Sequence, residues 1–301
     1  NFYTYLGWEL NNKINFSFEL SFLKYLAQQP GGLTDLMFNL DMFQSNRERN
    51  WFEINWLLYN FKLSYNFSDR TSGILSVSYL DAHRFSLGFR SNRVDQIDSF
   101  EERDLIKSDF NNLSLESKLI HNYEILSKRM VFLIGSRLFN GNNDNQQGPG
   151  SDDSNADFNY YSATYPNYPN QSFYSNPNFN YSLFSENIIY LNNKISLTPG
   201  MRFEYIKTES DGFFRKINTD AAGNVILNDL IYNNEIRERS FLLLGLGCSY
   251  KFLLWSEFYS NISQNYRAVT FADINTVNPN FIIDPDIIDE NGYTFDLGFR
   301  G

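Results

Sequence analysis

The chain has 301 residues, with 25 Lys plus Arg against 35 Asp plus Glu, for a formal net charge of −10. An acidic chain of this kind disfavours nucleic acid as the main partner, since phosphate binding needs a basic surface. Aromatic residues make up 18% of the chain although its mean hydropathy is −0.41, so apolar residues alternate with polar ones, which argues against disorder. The longest apolar stretches, 131–135 and 241–247, fall far short of the ~18 consecutive apolar residues of a spanning helix.

Strict alternation dominates, with helical periodicity weak throughout. Strands are predicted at 2–10, 13–24, 51–65, 73–90, 112–124, 130–140, 180–191, 195–207, 238–250, 255–267 and 292–300. In 13–24 the apolar set Ile14, Phe16, Phe18, Leu20 and Phe22 opposes Asn15, Ser17, Glu19 and Ser21. In 195–207, Ile195, Leu197, Met201, Phe203 and Tyr205 oppose Ser196, Thr198, Gly200, Arg202 and Glu204. Leu242, Leu244, Leu246, Cys248 and Tyr250 repeat the pattern, as do Tyr293, Phe295, Leu297 and Phe299. Most of these segments have about 9–14 residues against a usual 5–6, and a membrane-crossing strand needs about 9–11.

The connections alternate in length. Short ones fall near 11–12, 66–72, 125–129, 192–194 and 251–254; long ones near 25–50, 91–111, 141–179, 208–237 and 268–291. The stretch 140–159, rich in Asn, Asp, Gly and Gln, reads as a solvated loop and continues into a Tyr-, Asn- and Pro-rich run. Compact soluble domains rarely carry loops beyond about 12–15 residues. Aromatic residues crowd the strand ends, at Phe2, Tyr3, Tyr5, Trp51, Trp56, Tyr250, Phe252, Trp255 and Tyr266, as in the girdles of a membrane barrel. The expectation is an all-β, antiparallel transmembrane β-barrel with short periplasmic turns and long extracellular loops. Eleven strands is odd, whereas single-chain bacterial barrels are even. With no N-terminal Met or signal peptide, this suggests an internal fragment of a larger barrel.

Residues 184–208 (FSENIIYLNNKISLTPGMRFEYIKT), 260–274 (SNISQNYRAVTFADI) and 278–301 (NPNFIIDPDIIDENGYTFDLGFRG) resemble the barrel of TonB-dependent outer-membrane receptors. More narrowly, 25–38, 45–56, 100–112, 119–125 and 132–141 are similar to the ferric-dicitrate (siderophore) type. The resemblance implies a 22-stranded barrel, of which residues 1–301 would be about 11 strands, with the N-terminal plug domain and the C-terminal closing strands absent. It also implies a Gram-negative outer-membrane location, contact with outer-membrane lipid, and energy supplied by the TonB complex through the missing plug and its TonB box. The transported ligand would be a ferric chelate, ferric citrate or a related siderophore, with no cofactor.

An anionic chelate needs fixed positive charge, and the planar fork of Arg suits carboxylates. By strand parity Arg90, Arg137, Arg202, Arg239 and Arg267 fall on the lumen face, with Arg202 deeper than the rest. The bland alternative for Arg202 is an ion pair with Glu204 or Glu186, and for Arg239 one with Glu257. His83 and His121 read as girdle positions rather than a two-His iron site. Asp284, Asp286, Asp289 and Glu290 do not have calcium-loop spacing, and Pro285 suggests an ordinary turn; Asp152, Asp153 and Asp157 are read the same way. No Cys/His metal spacing is present, the lone Cys248 reads as a small apolar residue facing lipid, and no hydrolase, metalloprotease or P-loop motif occurs. Two other readings compete with a gated importer: a passive outer-membrane porin or adhesion barrel, and a secreted β-protein binding glycans through Tyr and Trp.

Overall fold

The computed structural model describes residues 1–91, 93–253, 255–269 and 286–301. Eleven strands follow in chain order: β1 (Phe2–Asn11), β2 (Ile14–Gln28), β3 (Trp51–Ser68), β4 (Thr71–Gly88), β5 (Asp104–Ile125), β6 (Lys128–Pro149), β7 (Ser172–Tyr190), β8 (Ile195–Thr219), β9 (Val225–Leu253), β10 (Ser256–Arg267) and β11 (Glu290–Arg300). A short helix, α1 (Asp35–Leu40), lies between β2 and β3, capped by the Thr34 hydroxyl. Each strand pairs with its sequence neighbours in one eleven-stranded sheet, ordered β1 to β11. The sheet does not close on itself, so β1 and β11 are its edges.

Local chemistry sets the tight turns. The Asn11 Oδ1 accepts from the backbone N–H of Lys13 and Ile14 at 2.8 and 3.0 Å, and Asn192 does the same for Lys194 and Ile195 at 2.8 Å each. Between β5 and β6 the two turn residues, Leu126 and Ser127, both have positive φ (51° and 59°), the sign that matches the twist of a two-residue hairpin.

The antiparallel register carries the apolar alternation across the sheet. Phe61, Val77, Leu115, Leu138, Tyr181 and Tyr205 are successive cross-strand partners and share the convex face. That face is bare: Met201 is 54% exposed, Leu242 and Leu244 are 52% each and Phe203 is 40%. The described residues bury few apolar side chains, among them Ala82, Leu87, Leu105, Pro149, Tyr174 and Val269. A sheet with no covered interior and a greasy outer face suits a wall surrounded by hydrocarbon, where only paired backbone is tolerated.

Two expected loops turn out to be largely strand. The stretch 140–149 belongs to β6, where its Asn, Gln and Gly residues pair with β5 on one side and β7 on the other. The expected long loop 208–237 is the top of a hairpin: β8 and β9 remain paired up to Thr219↔Val225, and only 220–224 turn. There Gly223 takes φ +87° and the Asp220 carboxylate accepts from the N–H of Ala222 and Asn224. Strand propensity spans only about 1 kcal/mol and yields to context. Ladder bonds, on both flanks in β6 and between β8 and β9 at the top of their hairpin, therefore hold polar sequence in strands that continue past the apolar band. By contrast β4 stops at Gly88, short of the expected residue 90.

Candidate functional site: the concave wall and the loops above it

On the concave face, β5 to β9 bring polar residues into rows. One row is Glu116, Arg137, Ser182, Glu204 and Phe241. The next is Ser114, Phe139, Asn180, Ile206 and Arg239, followed by Asn112, Gly141, Asn178, Thr208 and Arg237. Above these, Asn143 faces Asn176. A cavity of about 580 Å³ opens against this wall, bounded by Arg137, Phe139, Arg202 and the amides of Asn143, Asn176, Asn178 and Asn180, with Ala268 and Val269 on its far side.

The amides are partly committed. The Asn176 side-chain NH2 donates to the Asn143 carbonyl at 3.1 Å, and that of Asn180 donates to Glu204 at 2.9 Å. The side-chain oxygens of Asn143, Asn176 and Asn178 are buried and accept no hydrogen bond among the described residues. A buried acceptor left unpaired costs about 1–3 kcal/mol, so this stretch of wall holds an unmet demand for donors.

The five arginines singled out from sequence part company. Arg137 lines the cavity and, among the described residues, donates only to the Ser114 hydroxyl, at 3.3 Å. Arg202 also lines it, but it is ion-paired to Glu204, donates to the Ser182 hydroxyl at 3.0 Å and lies over the Phe184 ring. Phe184 in turn lies across Gly135, where a Cβ would come within 2.5 Å of the ring. Arg239 is nearly buried and paired with Asp289 at 2.6 Å, with further bonds to the Thr208 hydroxyl and the Val269 carbonyl. Its expected partner Glu257 instead pairs with Arg300, because the register puts Glu257 opposite Lys251 and Arg300 at the other end of the wall. Arg267 is 69% exposed and pairs with Glu290 at 3.3 Å. Arg90 is exposed in the connection after β4, where strand parity no longer applies.

Sequence reasoning missed three arginines that bind the outer connections together. Arg103 is fully buried; it donates to the carbonyls of Arg49, Ser151 and Asn155 and to the Ser151 hydroxyl, and it pairs with Asp153 at 2.8 Å. Arg49 pairs with Asp98 at 2.6 Å and donates to the carbonyls of Glu101 and Asp152. Arg47 reaches the Ser91 hydroxyl and the carbonyls of Arg93 and Gln96. The connections 29–50, 89–103 and 150–171 are thus tied into one cluster. Burial alone would raise the Asp98 carboxyl, but the bond from Arg49 and the Phe100 N–H outweigh it and hold it below the usual range. The one sign of them in the sequence is the charge density of 46–49 and 101–104.

The two histidines are far apart. His83 lies opposite Asp109, 3.2 Å from Glu53, while His121 lies opposite Thr71 and meets its hydroxyl at 2.9 Å. Positions 71 and 83 are twelve residues apart along β4, roughly 40 Å at ~3.3 Å per residue. Among the carboxylates weighed as cation ligands, Asp153 serves Arg103, Asp289 serves Arg239 and Glu290 serves Arg267, whereas Asp284 and Pro285 lie outside the described residues. Cys248 sits on the convex face between Leu197 and Ser260, as its parity requires.

A one-layer antiparallel wall, bare and apolar on one face and polar on the other, with packed connections at one end, is the architecture of a membrane β-barrel wall. The chain belongs to the TonB-dependent receptor-like β-barrel family, whose pattern it matches over residues 1–301. Among solved structures it is similar to the ferric citrate transporter FecA in its unliganded form, with a TM-score of 0.73 at 16% identity, covering 97% of this chain and 39% of that one. It is similar also to the ferric-catecholate import receptor Fiu from K12 E. coli in its closed form (TM-score 0.70, 8% identity, 99% and 48% covered). The copper transporter OprC likewise matches (TM-score 0.62, 12% identity, 99% and 42% covered). The chain therefore spans less than half the length of these structures. Among curated proteins no match is found.

Proposed function

We propose that the chain is part of the wall of a Gram-negative outer-membrane receptor that imports a ferric chelate, ferric citrate or a related siderophore, using energy from TonB. It acts as a receptor and not as an enzyme. The convex apolar face meets lipid, and a plug segment elsewhere in the receptor engages TonB. The observation that carries this reading is the cavity on the concave wall, with Arg137 facing it and held only by a neutral hydroxyl. Arg137 is then the first electrostatic contact for an anionic chelate, while Arg202 and Arg239 hold the wall through Glu204 and Asp289.

The test is uptake of radioactive iron, supplied as ferric dicitrate and as other ferric chelates, by cells carrying the full-length receptor, with and without TonB. TonB-dependent uptake that falls at least tenfold with Arg137→Ala is expected. Absence of receptor-dependent uptake for every chelate would refute the proposal.

A further inference from the structure

We infer that the rim formed by the tight turns binds anionic phospholipid headgroups, each turn offering a cation to the phosphate and an apolar side chain to the acyl layer. The inference goes beyond the ligand reading above and needs only the barrel wall. That the headgroups belong to the inner leaflet follows from placing the tight turns on the periplasmic side.

The first observation is a unit repeated in four successive turns. Leu10 precedes Lys13 by three residues, Phe67 precedes Arg70 and Leu191 precedes Lys194 by the same step, and Leu126 precedes Lys128 by two. All of these side chains are exposed. Leu10 and Leu191 continue the parity of the convex apolar face, and Phe67 lies edge-on to Tyr65 of that face, with 4.7 Å between ring centroids. Leu126, at the turn itself, is 89% exposed, and Lys128 shares the convex parity of Leu138. The apolar member of each unit thus carries the greasy face to its edge, and the cation stands just past it, at the level where headgroups begin. Lys and Arg lay their methylenes along apolar surface and keep the charge at that level.

The second observation is charge. The chain carries a net −10, yet each of these turns holds a cation, although acidic residues are near in sequence only at Asp69 and Glu124. Among the described residues none of the four cations is ion-paired. At the other end of the wall Arg49, Arg93, Arg103 and Arg239 each meet a carboxylate at 2.6–2.8 Å. Arg129 and Lys251 fall on the concave register and take no part. An exposed cation at the edge of a greasy surface complements a phosphodiester that brings no countercharge of its own.

The experiment uses the full-length receptor in symmetric vesicles containing phosphatidylglycerol or phosphatidylcholine with a diazirine at the top of one acyl chain, so that the headgroup is native. Labelled peptides are mapped by mass spectrometry after illumination. Phosphatidylglycerol should label the four turns severalfold more than phosphatidylcholine. Arg70→Gln should cut that preference about fivefold at 66–72 and leave 191–194 unchanged, and Lys194→Gln should do the reverse, while Arg70→Lys and Lys194→Arg retain it. Raising salt from about 0.05 to 0.5 M should weaken it, as screening of exposed charges requires. Equal labelling by the two lipids, a preference indifferent to the glutamine variants, or one abolished as fully by the Lys/Arg exchanges overturns the inference. Cation-dependent pelleting with purified peptidoglycan in place of any lipid preference would assign the rim to the cell-wall polymer and overturn it too. Neither ligand nor TonB enters the assay, so failure of the iron-uptake reading leaves the result intact.

Discussion

Replacing Arg103 with alanine tests whether the outer connections form one mechanical unit. The guanidinium is sealed from solvent and reaches three carbonyls, a hydroxyl and a carboxylate at 2.7–2.9 Å. The carboxylate is the least of these, because the Asp153 side chain is 45% exposed and rehydrates once its partner is gone. The carbonyls of Arg49, Ser151 and Asn155 matter more, since they tie connection 29–50 to 150–171 through a residue that belongs to 89–103. Deleting one partner of a buried charged network costs about 3–5 kcal/mol. At a factor of ten for each ~1.4 kcal/mol, that is roughly a two- to three-and-a-half-decade loss of protection. Hydrogen exchange read by mass spectrometry should show faster exchange in all three connections together, with β8 up to Tyr205 and β9 from Ser240 onward unchanged. If only the segment around residue 103 speeds up, the three connections are independent and the reasoning fails.

Leu244→Arg, on the bare convex face, should weaken folding into a bilayer by about 2–4 kcal/mol, measured by denaturant titration in vesicles; Ser263→Arg on the concave face should be far milder. In membranes, Cys248 should react with an uncharged, lipid-soluble maleimide and resist a charged one, and equal labelling by both would place it in water. The Asp98 and Asp153 carboxyls both lie below their ordinary value, burial in each case being outweighed by hydrogen bonds and the facing arginine. A depressed folded-state value stabilises above the unfolded value of about 3.9 and is lost as pH falls through the lower one. Protease resistance of the three connections should therefore hold from pH 7 to 5 and drop only below about 4; loss at pH 6 would contradict this. An epitope inserted between Ala222 and Gly223, at the tip of the β8–β9 hairpin, should be reached by antibody on intact cells, and failure to stain would reverse the assigned orientation.

Strand number, order and the greasy face were legible because period-2 alternation is a direct image of the pleat, as in Ile195, Leu197 and Phe203. What was not legible lies beyond the apolar band. There the outer face is wet, alternation loses its contrast, and residues 140–149 read as loop although ladder bonds hold them in β6. The run 176–181, with Asn176, Asn178 and Asn180 alternating with Pro177, Phe179 and Tyr181, did contain the pattern, and it marks the cavity wall. Parity placed Arg137, Arg202 and Arg239 on the concave face but could not say which was free. That depends on which carboxylate the register brings alongside, and Asp289 arrives from a connection no strand pattern describes. Arg103 was invisible for the same reason, since its burial is made by three segments far apart in sequence.

The β8–β9 hairpin is hydrogen-bonded from Ile195↔Tyr250 up to Thr219↔Val225, with its one register irregularity at the tip. The fifteen residues from Tyr205 to Thr219 therefore make a stiff mast of roughly 45–50 Å at ~3.4 Å per residue, with its foot in the greasy band and no joint between. Whatever leans on its top turns the foot, and next to the foot is Arg202, which lines the cavity and is held by Glu204. A load on the hairpin tip and the shape of the niche on the concave wall are in this way mechanically connected.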